Sequence, residues 1–71
     1  MTQEKFKSLL YLVSAATIRK ISVRNNWTDE IAMQRFFGSS VYRELEKEET
    51  KVWQYSSDML AQLFEDERSG V

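Results

Sequence analysis

The sequence predicts an all-α protein, a small bundle of three to four helices led by a long N-terminal helix. Three observations carry that prediction. Apolar residues recur at helical rather than alternating spacing along most of the chain. Proline is absent and Gly38 and Gly70 are the only glycines, so little interrupts a helix except polar caps. Ser, Thr or Asn stands at the start or end of each periodic stretch, where capping residues belong. Seventy-one residues make one domain, and a domain this small buries only about 60 % of the surface its unfolded chain exposes. Such folds usually lean on disulfides, a metal or a partner chain. With no Cys and no His the first two lack their ligands, which leaves association with a partner or with a second copy.

The first helix is expected over residues 2–24, from Thr2 as N-cap to Arg24. On a helical wheel Phe6, Leu9, Leu10, Leu12, Val13, Ala16, Thr17 and Ile21 share one broad side and read as the core stripe. Tyr11, Ala15 and Ile18 fall on the opposite flank at i, i+4 and i+7, with Ser22 one turn further. That second seam is either core covered by the last helix or an interface with Tyr11 as its aromatic anchor. Lys5 and Lys7 ahead of an apolar run ending in Ala15 and Ala16 imitate a secretory leader. Ser8 and Ser14 interrupt the run and Arg19 and Lys20 follow within the same helical period, so a mature helix is the better reading. No run reaches the ~18 apolar residues of a membrane span, and a cytoplasmic protein is expected.

"NNWT" closes that helix and opens the next. Asn25 or Asn26 suits a left-handed C-terminal position. Thr28 suits the N-cap, with Asp29 and Glu30 in the positive first turn, and Trp27 is placed to staple onto Ala32. The second helix, residues 29–37, carries Ile31, Ala32, Met33, Phe36 and Phe37 on more than one side and should be well covered; Gly38 ends it. Ser39 or Ser40 caps the third helix, residues 40–49, with Val41, Tyr42 and Leu45 inward. Its late glutamates oppose the helix dipole and favour a stop near Glu49 or Thr50. Trp53 then reads as a plug closing the core. Ser56 or Ser57 caps the fourth helix, residues 56–67, with Tyr55 placed to staple onto Leu60 and Met59, Leu60, Leu63 and Phe64 as its apolar face. The terminal "EDERSGV" is expected to fray.

Charge divides the chain. Residues 1–24 hold five cations against Glu4, while residues 43–71 hold eight carboxylates against four cations. Complementary halves favour a first helix lying beside the last in one molecule; the alternative is a basic face for an external anion. Nucleic-acid binding would use Lys5, Arg19, Lys20 and Arg24, but exposed aromatics for base stacking are not interleaved among them. Residues 28–49 resemble a helix-turn-helix in outline only, because Glu44, Glu46, Glu48 and Glu49 on the would-be reading helix repel phosphate.

Without His or Cys the commonest general base, thiol nucleophile and zinc ligands are missing. The remaining carboxylates crowd an exposed helix among lysines, and neither a calcium loop nor a glycine-rich phosphate cradle is present. No enzyme activity, catalytic residue, cofactor or metal is expected.

"WTDEIAMQRFFGSSVYRELEKEETKVWQYSSDMLAQLFEDE" resembles a class of very small bacterial helical proteins of unknown function with the pattern "eeAl..f..S..y..Le.eeTklW..S...l". Ala32, Phe36, Ser39 or Ser40, Tyr42, Leu45, Thr50, Trp53, Ser56 or Ser57, Leu60 and Glu65 to Glu67 carry the likeness, over roughly the last two thirds of the chain. The resemblance implies a bacterial, cytoplasmic, non-enzymatic protein. Some similar families sit beside toxin genes, which implies an antitoxin-like neutraliser of a neighbouring gene product. From size and the second seam, the expected function is a protein-interaction module that self-associates, with Tyr11, Ala15, Ile18 and Ser22 as its interface.

Overall fold

The computed structural model describes residues 2–70 and confirms the all-α class. Four α-helices occur among these residues: α1 (Gln3–Asn25), α2 (Asp29–Phe37), α3 (Ser40–Leu45) and α4 (Ser57–Arg68). Two 3-10 turns, Glu48–Thr50 and Val52–Gln54, join α3 to α4. Each α-helix begins at a hydroxyl cap. The Oγ of Thr2, Thr28, Ser39 and Ser56 accepts the backbone N–H of Lys5, Ile31, Tyr42 and Met59 respectively, at 3.1–3.2 Å. Such a bond satisfies one of the N–H groups that a helix start leaves without a partner.

α1 stops at a left-handed residue. Asn26 takes φ 55°, its N–H donates to Val23 O, and Trp27 N–H donates to Ser22 O at 3.0 Å. This is a Schellman ending with asparagine in the usual glycine place. The Ser22 hydroxyl then donates to Trp27 O at 2.7 Å, so the same residue ends the helix and pins the turn. α3 is shorter than the expected 40–49. Near its end the carbonyls of Glu44 and Lys47 accept only i+3 N–H groups, from Lys47 and Thr50, and the Thr50 hydroxyl lies 2.8 Å from both oxygens as a second donor. That side-chain cap, together with the adverse acidic charge, stops the helix at Leu45 and passes the chain into 3-10 geometry. Lys51 links the two turns at φ 60°.

Phe36 lies at the centre of the core, fully buried, with the rings of Tyr42 and Phe64 at 5.5 and 6.2 Å. Ile18 and Ile21 of α1, Ala32 of α2, Leu45 of α3 and Leu60 and Ala61 of α4 complete it. Trp27 stands edge-on to Phe64 at 6.3 Å, and Arg68 lays its guanidinium 4.6 Å from the indole centroid. Trp27 thus bridges to α4. Trp53 is only half-buried; its ring meets Phe6 edge-on at 5.9 Å and its Nε1 donates to Glu48 O at 2.8 Å. It closes the 3-10 segment onto the early part of α1 rather than filling the centre.

Two expectations about coverage need correction. On α1 the buried residues are Ser14, Thr17, Ile18, Ile21 and Ser22, while Leu12 is 61 % exposed and Leu9 and Ala16 also face outward. The buried face is turned by roughly 100° from the centre of the expected stripe, at about 100° per residue. Small side chains explain the rotation: Ser14, Thr17 and Ser22 let neighbouring helices approach closely, and Thr17 satisfies its hydroxyl on Val13 O at 2.7 Å. α2 is likewise less covered than its composition suggests. Ala32 and Phe36 are buried, whereas Ile31, Met33 and Phe37 remain exposed. Its nine residues span only about 14 Å at 1.5 Å per residue, too short to be wrapped on every side.

α1 and α4 lie together, as complementary charge favours. Lys20 and Arg24 reach Asp58 at 3.0 and 3.9 Å. Asn25 donates to Glu65 at 2.7 Å, and Arg68 donates to Asn25 Oδ1 at 2.9 Å. The acidic end does not fray before Arg68: Glu67 accepts the N–H groups of Ser40 at 3.0 and 3.1 Å and of Val41 at 3.3 Å, tying α4 to the start of α3.

Candidate interaction groove

α1 and α2 diverge enough to leave a groove of about 430 Å³ between them. Tyr11, Ala15 and Ile18 form the α1 wall and Met33 and Phe37 the α2 wall. The walls are apolar because Met33 and Phe37, one turn apart, occupy the side of α2 that Ala32 and Phe36 do not use. Tyr11 is 73 % exposed and Phe37 46 %, so two aromatic rings stand at one end. At the other end Arg19 pairs with Asp29 at 3.3 Å, both well exposed. An ion pair in that setting adds little to stability. Ser14 also lines the groove; it is 94 % buried, and its Oγ has no hydrogen-bond partner among the described residues. A buried hydroxyl left in that state is unusual in a folded protein.

The four residues of the second seam do not share one fate. Tyr11 and Ala15 line the groove in the open, whereas Ile18 is 7 % and Ser22 8 % exposed. Ile18 supplies the groove's floor and core together, and Ser22 is engaged by the α1 ending. Met33, Phe37, Ser14 and Asp29 complete the groove without having been singled out from sequence. The "FF" pair held a usable signal, since two adjacent phenylalanines on a helix project about 100° apart and cannot share one narrow core.

The basic residues of α1 are also divided. Arg19 is held by Asp29, and Lys20 and Arg24 by Asp58. Lys5 is exposed with no ion pair among the described residues. Three of the four cations expected to meet nucleic acid therefore face carboxylates of their own chain, and the positive field available to a phosphate backbone is reduced.

One titratable group is perturbed. Burial of the Tyr42 ring between Phe36 and Phe37 pushes its phenol above the ordinary tyrosine value, and the Glu46 carboxylate one turn on adds to the shift. Tyr42 is packed with the core and does not open into the groove. Among the described residues no three carboxylates converge as metal ligands would, and no helix is long and apolar enough to cross a membrane. No protein-family model, curated protein or solved structure matches this chain.

Proposed function

We propose that the protein is a non-catalytic interaction module that self-associates through the α1–α2 groove. The observation that carries this reading is the placement of Tyr11, Met33 and Phe37 around an open apolar channel in a molecule with a small core. Aromatic side chains at the centre of a concave apolar patch are the anchors that protein interfaces favour. A helix laid into such a groove recovers the buried area that a short chain cannot supply by itself. The cytoplasmic setting and the bacterial resemblance belong to the same proposal and rest on sequence character alone.

Light scattering over a range of concentrations tests it. The wild type should exceed monomer mass, and Tyr11→Glu and Phe37→Glu should return it to monomer with helicity and melting retained. A wild type that stays monomeric at every concentration refutes self-association. A monomer that co-purifies with the product of a neighbouring gene favours the antitoxin-like neutraliser instead. Salt-sensitive binding to mixed nucleic-acid probes, lost when Arg19, Lys20 and Arg24 become alanine, favours nucleic-acid binding.

A further inference from the structure

A second apolar cleft, of about 490 Å³, opens where α4 meets α3 and the second 3-10 turn. Val41, Val52 and Leu63 form its floor, and Glu44, Asp66 and Glu67 stand around it. It shares no residue with the α1–α2 groove. The core takes Leu60, Ala61 and Phe64 from α4, which leaves Leu63 and Met59 on another side of that helix, one turn apart. Leu63 is 38 % and Met59 51 % exposed, so the apolar strip continues along α4 beyond the cleft.

From this cleft we infer a second binding function, independent of self-association: it receives a cationic amphipathic helix of a partner protein. Charge decides the sign of the partner. No cation lines the cleft among the described residues. Asp66 accepts from the Gln62 amide at 3.0 Å, and Glu67 is engaged by the backbone N–H groups of Ser40 and Val41. Glu44 has Lys47 at 4.0 Å, an exposed contact at the limit of an ion pair. The rim therefore keeps a negative field, within a stretch, residues 43–71, that holds eight carboxylates against four cations. Such a field attracts Lys and Arg and repels nucleic acid or an anionic lipid surface. Backbone chemistry decides the partner's form. An extended peptide is held by hydrogen bonds to a sheet edge, and the described residues contain no strand. A segment pressed onto Val41, Val52 and Leu63 must satisfy its own N–H and C=O groups, which a helix does. Its apolar stripe meets that floor and Met59, and its flanking cations meet Glu44 and Asp66. The chain's own α1 is a poorer occupant. Asp29 and Asp58 hold Arg19, Lys20 and Arg24, which leaves that helix only Lys5 and Lys7 without an ion pair among the described residues.

Amide NMR of the isotope-labelled full chain, titrated with a synthetic helical peptide of about fourteen residues, or about four turns, tests the assignment. The peptide carries leucine at helical spacing with lysine on both flanks, and a second peptide with glutamate for lysine is the control. Shifts should move at Val41, Val52, Leu63 and Asp66 and stay still at Tyr11, Met33 and Phe37. The glutamate peptide should bind at least about tenfold more weakly, since like charges oppose it. Leu63→Ser should weaken the Kd about tenfold by removing a central apolar anchor. Glu44→Gln with Asp66→Asn should weaken it several-fold at about 0.02 M salt and little at about 0.5 M, where exposed charges are screened. Urea melts check that each variant folds. No binding of the lysine peptide up to about 1 mM, equal binding of the glutamate peptide, or shifts confined to the α1–α2 groove overturns the assignment. Shifts at Val41 and Leu63 that depend on protein concentration in the chain alone, and vanish in Leu63→Ser, make a second copy the occupant and overturn the partner helix.

Discussion

Glu67 offers a sharp test of how the short elements are held. Its carboxylate lies in the last turn of α4, where negative charge opposes that helix's own dipole. Its use lies elsewhere, on the N–H groups of Ser40 and Val41 at the start of α3. A six-residue helix is far below the length that sustains itself in water, so this outside cap and the Ser39 hydroxyl fix where α3 begins. Losing a helix cap costs about 1 kcal/mol, and a carboxylate at a helix start adds a few tenths more. The site is exposed, which reduces the charge part. Glu67→Ala should therefore lower stability by about 1–1.5 kcal/mol, against a total of roughly 4–10 kcal/mol for a chain this size. The melting temperature should fall by about 4–10 °C. Urea melts fitted with a common m-value give the number. Glu67→Gln, which keeps an acceptor but not the charge, should lose less, and Asp66→Ala in the same turn should be close to neutral. A loss under about 0.3 kcal/mol for Glu67→Ala, or an equal loss for Asp66→Ala, would refute the cap.

Three further outcomes follow from single residues. Lys51 holds φ 60°, a left-handed conformation that costs an L-residue about 1 kcal/mol; Lys51→Gly should raise stability by several tenths of a kcal/mol, and Lys51→Val should lower it, both read from thermal melts. The raised Tyr42 phenol binds its proton more tightly in the folded state, so its stabilising share is full below the ordinary value of about 10 and is lost as pH rises through the higher folded value. Stability of the wild type minus that of Tyr42→Phe, measured by urea melts across that range, should decline with rising pH; a difference that grows would contradict the burial of the phenol. Trp53→Ala should cost about 2 kcal/mol, below the 3–5 kcal/mol typical of a fully buried ring, because Trp53 is half-buried and contributes one edge contact and one hydrogen bond.

Helix starts were legible because they are local chemistry. Thr2, Thr28 and the serine pairs announce themselves by side chains that reach their own backbone two or three residues on, with no help from tertiary structure. The buried face of α1 was harder to read, since apolar residues surround the helix and the largest of them are not the ones that packing selects. Ser14, Thr17 and Ser22 are buried for their small size, and hydrophobic periodicity gives such positions no weight. Tyr11 and Ala15 could be placed on one flank by spacing, but whether that flank was covered depended on the length and direction of α2. The groove's second wall and its unpartnered hydroxyl are products of two helices meeting. Neither exists in any single stretch of sequence.

Contacts between α1 and the last third of the chain advance in step: Phe6 with Trp53, Lys20 with Asp58, Asn25 with Glu65. α4 therefore runs in the same sense as the last turns of α1. Tension applied between the first turn of α1 and the last turn of α4 would load this seam in shear. Its side chains would have to slide past one another together, whereas an antiparallel hairpin opened from its free ends gives way one contact at a time. The Asn25–Glu65–Arg68 cluster lies nearest one point of pull and would carry the first strain, so it is the place where mechanical yielding should begin.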